Sequence, residues 1–219
     1  LALPVLSSLK HETNRYQSYF LKLLDVSITV SIPLCVYSFI EAEWLIHVIL
    51  GPKWVEAGPI FKILAAGGVF ISVSYLPGLA MLSNGYSKRY MQISITTAVI
   101  TSAAFVVGIL YGINGVAASY SIGCFLVLIP MYMVSFRGTP IKSGPVFRTI
   151  LWPLLTSSAA GVAIYLVILS FPVESIVAHL LVGILFFIVY TGLTLLRTET
   201  RKTMHSIWVS MMSKRMSNN

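Results

Sequence analysis

The first group in this 219-residue chain with chemistry to offer is an aspartate followed by two serines at helical spacing. Asp25 precedes Ser27 and Ser31 in an otherwise apolar stretch, and Pro33 follows them. A carboxylate at the centre of a membrane helix costs about 2.5–3.5 kcal/mol on insertion scales. Asp25 therefore either lines a water-filled path or sits at headgroup level, paired with Lys22 or solvent. Ser27 and Ser31 lie one helical turn apart and share a face, with Pro33 able to kink the helix beside them. That face lines an aqueous cavity or packs on a neighbouring helix. Lys62, at the edge of a second apolar stretch, offers a cation to an anionic substrate group, or simply snorkels to the interface. Asp25, Ser27, Ser31 and Lys62 are thus the candidate substrate-path residues.

Enzyme chemistry has no comparable foothold. The chain holds no G-x-S-x-G elbow, H-E-x-x-H pair, P-loop or dinucleotide glycine fingerprint. His11, His47, His179 and His205 fall in separate segments, and Cys35 and Cys124 each sit alone in an apolar run. No catalytic residue, metal or cofactor is expected, and the chain is not expected to be an enzyme.

The elements that must position these residues are membrane helices. Hydrophobic residues make up 57% of the chain and charged residues 10%, against roughly 25% charged in an ordinary soluble domain. Too few charges remain to cover a water-facing surface, so lipid is the expected solvent. Six runs are long enough to cross a bilayer as helices: about Leu23–Ile40, Ile60–Leu82, Tyr90–Tyr111, Val116–Phe136, Thr149–Phe171 and Ile176–Leu196. None has the period-2 alternation of a membrane β-strand. The expected fold is an all-α, polytopic membrane helix bundle of six transmembrane helices.

Charge placement predicts the topology. Of the fifteen Lys and Arg, all but Lys53 and Lys62 fall on one side of these six spans, where Lys10, Lys88, Arg137, Arg197, Arg201, Lys202, Lys214 and Arg215 are found. The other side carries Glu41, Glu43, Glu56 and Glu174. Basic loops stay inside, which predicts a multi-pass protein of a bacterial inner membrane with both ends of the chain cytoplasmic. The net charge of +8 then fits anionic membrane lipids as partners. Nucleic acid is not expected, because no aromatic stacking platform is interleaved with the basic residues.

Five segments follow: an entry segment at 1–22, four spans over 23–136, a Gly- and Pro-broken basic hinge at 137–148, two further spans over 149–196, and a basic tail at 197–219. Tyr111-Gly112-Ile113-Asn114-Gly115 reads as a tight turn with two glycines free to take positive φ. Trp44 to Ile49 reads as a short interfacial helix ending at Gly51-Pro52, with Trp44 and Trp54 at headgroup depth. The chain opens Leu1-Ala2-Leu3-Pro4, without Met or a charged leader; this predicts a fragment whose upstream part is missing.

Three short patterns carry a family resemblance. Pro4-Val5-Leu6-Ser7-Ser8-Leu9 stands ahead of the first span, Leu50-Gly51 with Trp54 and Ala57 ahead of the second, and Gly112-Ile113-Asn114-Gly115-Val116-Ala117 between the third and fourth. In these the chain resembles the Wzx-type polysaccharide exporters, flippases within the multidrug/oligosaccharidyl-lipid/polysaccharide exporter superfamily. The match covers roughly 1–136, and the last two spans agree by position and hydropathy only. The resemblance implies the C-terminal portion of a two-lobed transporter of twelve to fourteen helices. It implies alternating-access export of an undecaprenyl-diphosphate-linked oligosaccharide repeat unit for surface polysaccharide such as lipopolysaccharide or exopolysaccharide, with the polysaccharide polymerase machinery as a partner. Pro4, Leu6, Ser7, Leu9, Gly51, Trp54, Ala57, Gly112 and Gly115 are structural positions in that pattern. Two other expectations stand beside it: an ion-coupled small-molecule or drug antiporter of the same superfamily, and a membrane enzyme of glycan assembly.

Overall fold

The computed structural model describes residues 2–171 and 175–196, all helices and turns, with no strand among them. Glu174 and the basic tail with Arg197, Arg201, Lys202, Lys214 and Arg215 lie outside the described residues. In chain order the helices are α1 (Ala2–Ser8), α2 (Thr13–Ile40), α3 (Ala42–Leu50), α4 (Gly58–Ser83), α5 (Ser87–Ile109), α6 (Gly112–Ser135), α7 (Ser143–Ser170) and α8 (Ile176–Leu195), with a 3₁₀ turn at Pro52–Ala57 before α4. The helices α2, α4, α5, α6, α7 and α8 are each long and apolar enough to cross a membrane. This is the all-helical, six-span architecture read from the sequence.

Two helices start well before their hydrophobic spans. α2 begins at Thr13 and α7 at Ser143, so residues from Ser143 onward in the segment 137–148 are already helical. The reason for α2 is a row of buried side chains four residues apart: Tyr16, Phe20, Leu24, Ile28 and Ile32. This row continues through the polar residues Arg15, Gln17 and Lys22 because only one face of the helix has to be apolar.

The chain divides within α7, into one unit over Leu1–Leu154 and a second from Leu155 onward. In the first unit α4 is the hub, flanked by α2 and α6, with α3 against its beginning. The α2 row packs into a core with Val73, Leu76 and Ala80 of α4, Tyr132 of α6, Phe136 just after it, and Val146 of α7. Phe136 meets Phe20 edge-on at 5.9 Å and Tyr132 at 5.3 Å. Inside a bilayer such packing gains little from the hydrophobic effect, since lipid tails are as apolar as leucine. Close fit and hydrogen bonds hold the helices together instead.

Glycines supply the close fit. A Cβ on Gly67 would stand 3.2 Å from the Cα of Ser121, and the Ser121 hydroxyl donates across the same contact to the Ile63 carbonyl at 3.0 Å. The α5–α6 hairpin uses Gly108 and Gly115 in the same way: a Cβ on Gly115 would lie 2.6 Å from the Gly108 carbonyl oxygen. Here the sequence expectation needs correction. Gly112 takes φ +74° at the turn, but Gly115 does not have positive φ. It already belongs to α6, and it is small because α5 lies against it.

Polar side chains supply the hydrogen bonds. The Tyr16 and Ser83 hydroxyls share a bond of 2.6 Å, and the Asn84 amide donates to the Tyr16 hydroxyl at 2.8 Å, joining α2 to the end of α4. The Tyr86 hydroxyl donates to the Gly138 carbonyl at 2.9 Å. The Arg89 guanidinium lies 4.5 Å over the Tyr86 ring and donates to the Arg137 carbonyl. The turn before α5 thereby holds the turn after α6.

The short helix expected from Trp44 to Ile49 is α3. It buries Ala42 and Ile46 and leaves Val48, Ile49, Leu50 and Trp54 exposed beyond it, the one-sided apolar pattern of an interfacial element. Gly51 ends it at φ +89°, a backbone state that glycine adopts at little cost. In the second unit α8 buries Val182, Gly183, Phe186, Tyr190 and Thr194 along one face, and its first turn is capped by Ser175, whose hydroxyl accepts from Ala178 N–H at 3.1 Å.

Candidate functional site

The four residues singled out from the sequence do not meet. Successive helical residues are about 100° apart around the axis, so Ser27 and Ser31, each one before a buried isoleucine, flank one side of the α2 core row. Asp25, one after buried Leu24, flanks the other side. Ser27 is exposed, and Asp25 and Ser31 are half-buried. Lys62 places its ammonium 5.4 Å from the centre of the Phe39 ring. Phe39 is about 21 Å of helical rise from Asp25 along α2. A cation–π contact of this exposure contributes about 0.5–1 kcal/mol. Lys62→Gln is therefore expected to lower unfolding stability in detergent by no more than that, and a larger loss would mean Lys62 has another role.

A different group of residues does come together. Between α4, α5 and α6 lies a cavity of about 650 Å³, within the roughly 300–1,000 Å³ range of ligand pockets. Ser74 and Tyr75 face it from α4, and Ser94, Thr97, Thr101 and Ser102 from α5. Leu79 and Met131 form apolar parts of its wall, and Tyr90 closes one end. Gly78 admits that tyrosine, since a Cβ there would stand 2.9 Å from the Tyr90 ring. None of the residues lining the cavity is charged.

The cavity exists because α5 pairs with α6 and leans away from α4. Gly108 is the only buried residue of α5, and Ile95, Val99 and Val106 stand largely exposed on its other faces. Along α5, Ser94, Thr97 and Thr101 recur at three- and four-residue intervals, with Ser102 next to Thr101, so they form one stripe on the side turned to α4. This pattern was present in the sequence, but a span rich in Ser and Thr reads equally well as ordinary helix packing.

Beside the cavity Pro77 interrupts the backbone hydrogen bonding of α4. Pro77 has no N–H, so the Val73 carbonyl four residues back loses its usual helical partner. The Tyr132 hydroxyl of α6 donates to that carbonyl at 2.7 Å. Both ends of this bond are buried, with Tyr132 4% and Val73 2% exposed. Pro77 is visible in the sequence, but the tyrosine that serves the freed carbonyl is not. Charge placement put Glu41 on the outer side of the spans. The residue is 4% exposed, at the elbow between α2 and α3.

The family-pattern residues have structural positions. Leu6 is fully buried in the main core, Leu9 packs against it, and Pro4 and Ser7 are exposed on α1. Trp54 is exposed and Ala57 half-buried, at the 3₁₀ turn that leads into α4. Among the described residues no cluster of His, Cys, Asp and Glu is suited to a metal.

Comparison with known proteins adds the family level. A family described as "Polysaccharide biosynthesis protein" matches residues 1–59. The chain is 24% identical over 180 residues to the teichuronic acid biosynthesis protein TuaB of Bacillus subtilis (strain 168), covering 78% of this chain and 35% of that protein. It therefore spans about a third of the length of that curated relative. No solved structure matches. Both similarities support a polysaccharide biosynthesis or export family for this multi-pass chain, a coarser level than the Wzx-type resemblance in its motifs.

Proposed function

We propose that this chain is the C-terminal part of an inner-membrane carrier that exports a lipid-linked oligosaccharide repeat unit for surface polysaccharide. The substrate is an undecaprenyl-diphosphate-linked glycan, and movement is by alternating access. The observation that carries the reading is a combination: similarity to polysaccharide biosynthesis proteins in a chain whose described residues are almost wholly membrane helix. A protein of saccharide assembly built this way works on a saccharide that is itself in the bilayer. Such a molecule has an apolar tail that tolerates lipid and a polar head that does not, and the head needs a polar path.

The bundle offers features suited to that task. The uncharged hydroxyl-lined cavity gives polar partners within an apolar helix pair, and Pro77 interrupts the hydrogen bonding of α4 beside it. With the basic turns inside, both ends of the chain are cytoplasmic, and the Tyr90 end of the cavity faces the leaflet where a repeat unit is assembled. The reading is of a carrier, not an enzyme, that works with the polysaccharide polymerase machinery.

Depleting the full-length protein and assaying which leaflet holds the sugar lipid tests this directly. Accumulation on the cytoplasmic side with loss of surface polysaccharide is expected. Unchanged sugar lipids and normal polysaccharide would refute it and point to small-molecule antiport. Glycan left unpolymerised on the outer face would point to an enzyme of assembly.

A further inference from the structure

We infer that the cavity between α4, α5 and α6 is a saccharide-binding site that takes the uncharged glycan and not the diphosphate. The inference rests on the carrier reading and names the part of the substrate that this site receives. It goes beyond that reading by moving the site off Asp25 and Lys62, onto hydroxyls of α4 and α5.

Three observations point the same way. The first is charge: a diphosphate needs cations or a cluster of backbone N–H donors, and no Lys, Arg or His lines the cavity.

The second is the state of the hydroxyls. Ser74 donates to the Phe70 carbonyl at 2.8 Å and Ser94 to the Tyr90 carbonyl at 2.9 Å. Their donors are used, which leaves oxygen lone pairs to accept from a ligand. Among the described residues no side-chain hydrogen bond engages Tyr75, Thr97, Thr101 or Ser102, which remain able both to donate and to accept. Sugar hydroxyls are themselves donors and acceptors and match both kinds. Without a ligand, the Thr97, Thr101 and Ser102 hydroxyls have only the carbonyls of their own helix to turn to, as Ser74 and Ser94 do.

The third is shape and surface. A sugar ring is polar at its edge and apolar on its C–H faces. The cavity supplies two tyrosine rings, Leu79 and Met131 for the faces, and the α5 stripe for the edge. From Tyr90 to Ser102 it extends about 18 Å along α5 by helical rise, room for a short oligosaccharide rather than for one ring.

The test uses the full-length protein with its cysteines replaced, including Cys35→Ala and Cys124→Ala, carrying Thr97→Cys and purified in lipid nanodiscs. Maleimide labelling of the introduced thiol is followed with undecaprenyl diphosphate bearing the repeat unit and with undecaprenyl diphosphate alone. Thermal unfolding with each lipid reports binding independently. The sugar lipid at ten times its Kd is expected to slow labelling about tenfold by simple occupancy, and the bare lipid to leave it unchanged. Equal protection by both lipids would overturn the inference, since tail or diphosphate would then fill the cavity. A thermal shift by the sugar lipid without protection would overturn it while leaving the carrier reading intact. A thiol that never labels would overturn it too, because the site would be closed helix packing. No thermal shift by either lipid would refute the carrier reading and the inference together.

Discussion

Gly108→Ala is expected to prevent α5 from seating on α6 and to destabilise the protein by more than about 3 kcal/mol, above the usual 1–3 kcal/mol of over-packing. The added Cβ would lie 2.6 Å from the Val116 Cα and 2.9 Å from the Gly115 carbonyl oxygen. Both are backbone atoms, so no rotamer change makes room and one helix must move. The same change at Gly192, within α8, meets nothing within 4 Å. There alanine is expected to stabilise by about 0.5–1 kcal/mol, the ordinary helix-interior preference over glycine. Thermal unfolding of the two variants in detergent, with membrane accumulation as a second readout, checks the pair. A Gly108→Ala protein as stable as the parent would mean that α5 and α6 are not in backbone contact there. The functional consequence follows from position, because α5 carries one wall of the cavity and is held chiefly by α6.

The glycines of the α5–α6 hairpin also show what a single sequence reveals and what it conceals. The six membrane helices were legible because lipid imposes a length and a composition on every span, and each run met both. Their ends were less so. α2 starts ten residues before its hydrophobic run because the buried ladder from Tyr16 to Ile32 needs apolar residues on one face only, and a hydropathy window averages all faces. Gly115 was recognised as a glycine with a purpose, but its purpose is contact with Gly108 rather than a turn. Which of two glycines turns the chain depends on where the helix restarts, and that depends on packing partners.

The candidate site was harder for the same reason. Asp25 and Lys62 stood out because charge is rare in a span, while Thr97 and Thr101 did not, because hydroxyls are common there. Which hydroxyls converge depends on α5 leaning from α4, a property of the α5–α6 contact and not of either helix alone. The sequence displays unusual residues, whereas a site made of ordinary ones appears only once the helices are placed.

Tyr132→Phe is expected to cost about 1–3 kcal/mol of unfolding free energy, the penalty for leaving a buried acceptor unpaired. Phenylalanine keeps the ring that packs on Phe136 and Phe147, so the loss belongs to the 2.7 Å bond with the Val73 carbonyl. The more discriminating result is its dependence on Pro77. With Pro77→Ala, residue 77 regains an N–H and can serve the Val73 carbonyl as in any helix, so removing the tyrosine hydroxyl should then cost less. A double-mutant cycle on the full-length protein is expected to give a coupling of about 1 kcal/mol or more, within the 0.5–3 kcal/mol seen for residues of one network. Additive effects would show that the hydroxyl is not compensating for the proline. If they couple, the break at Pro77 is bridged by a bond from a neighbouring helix and not by α4 itself. Movement of α6 against α4 would then release the carbonyl and loosen α4 beside the cavity, linking helix motion to the shape of the site.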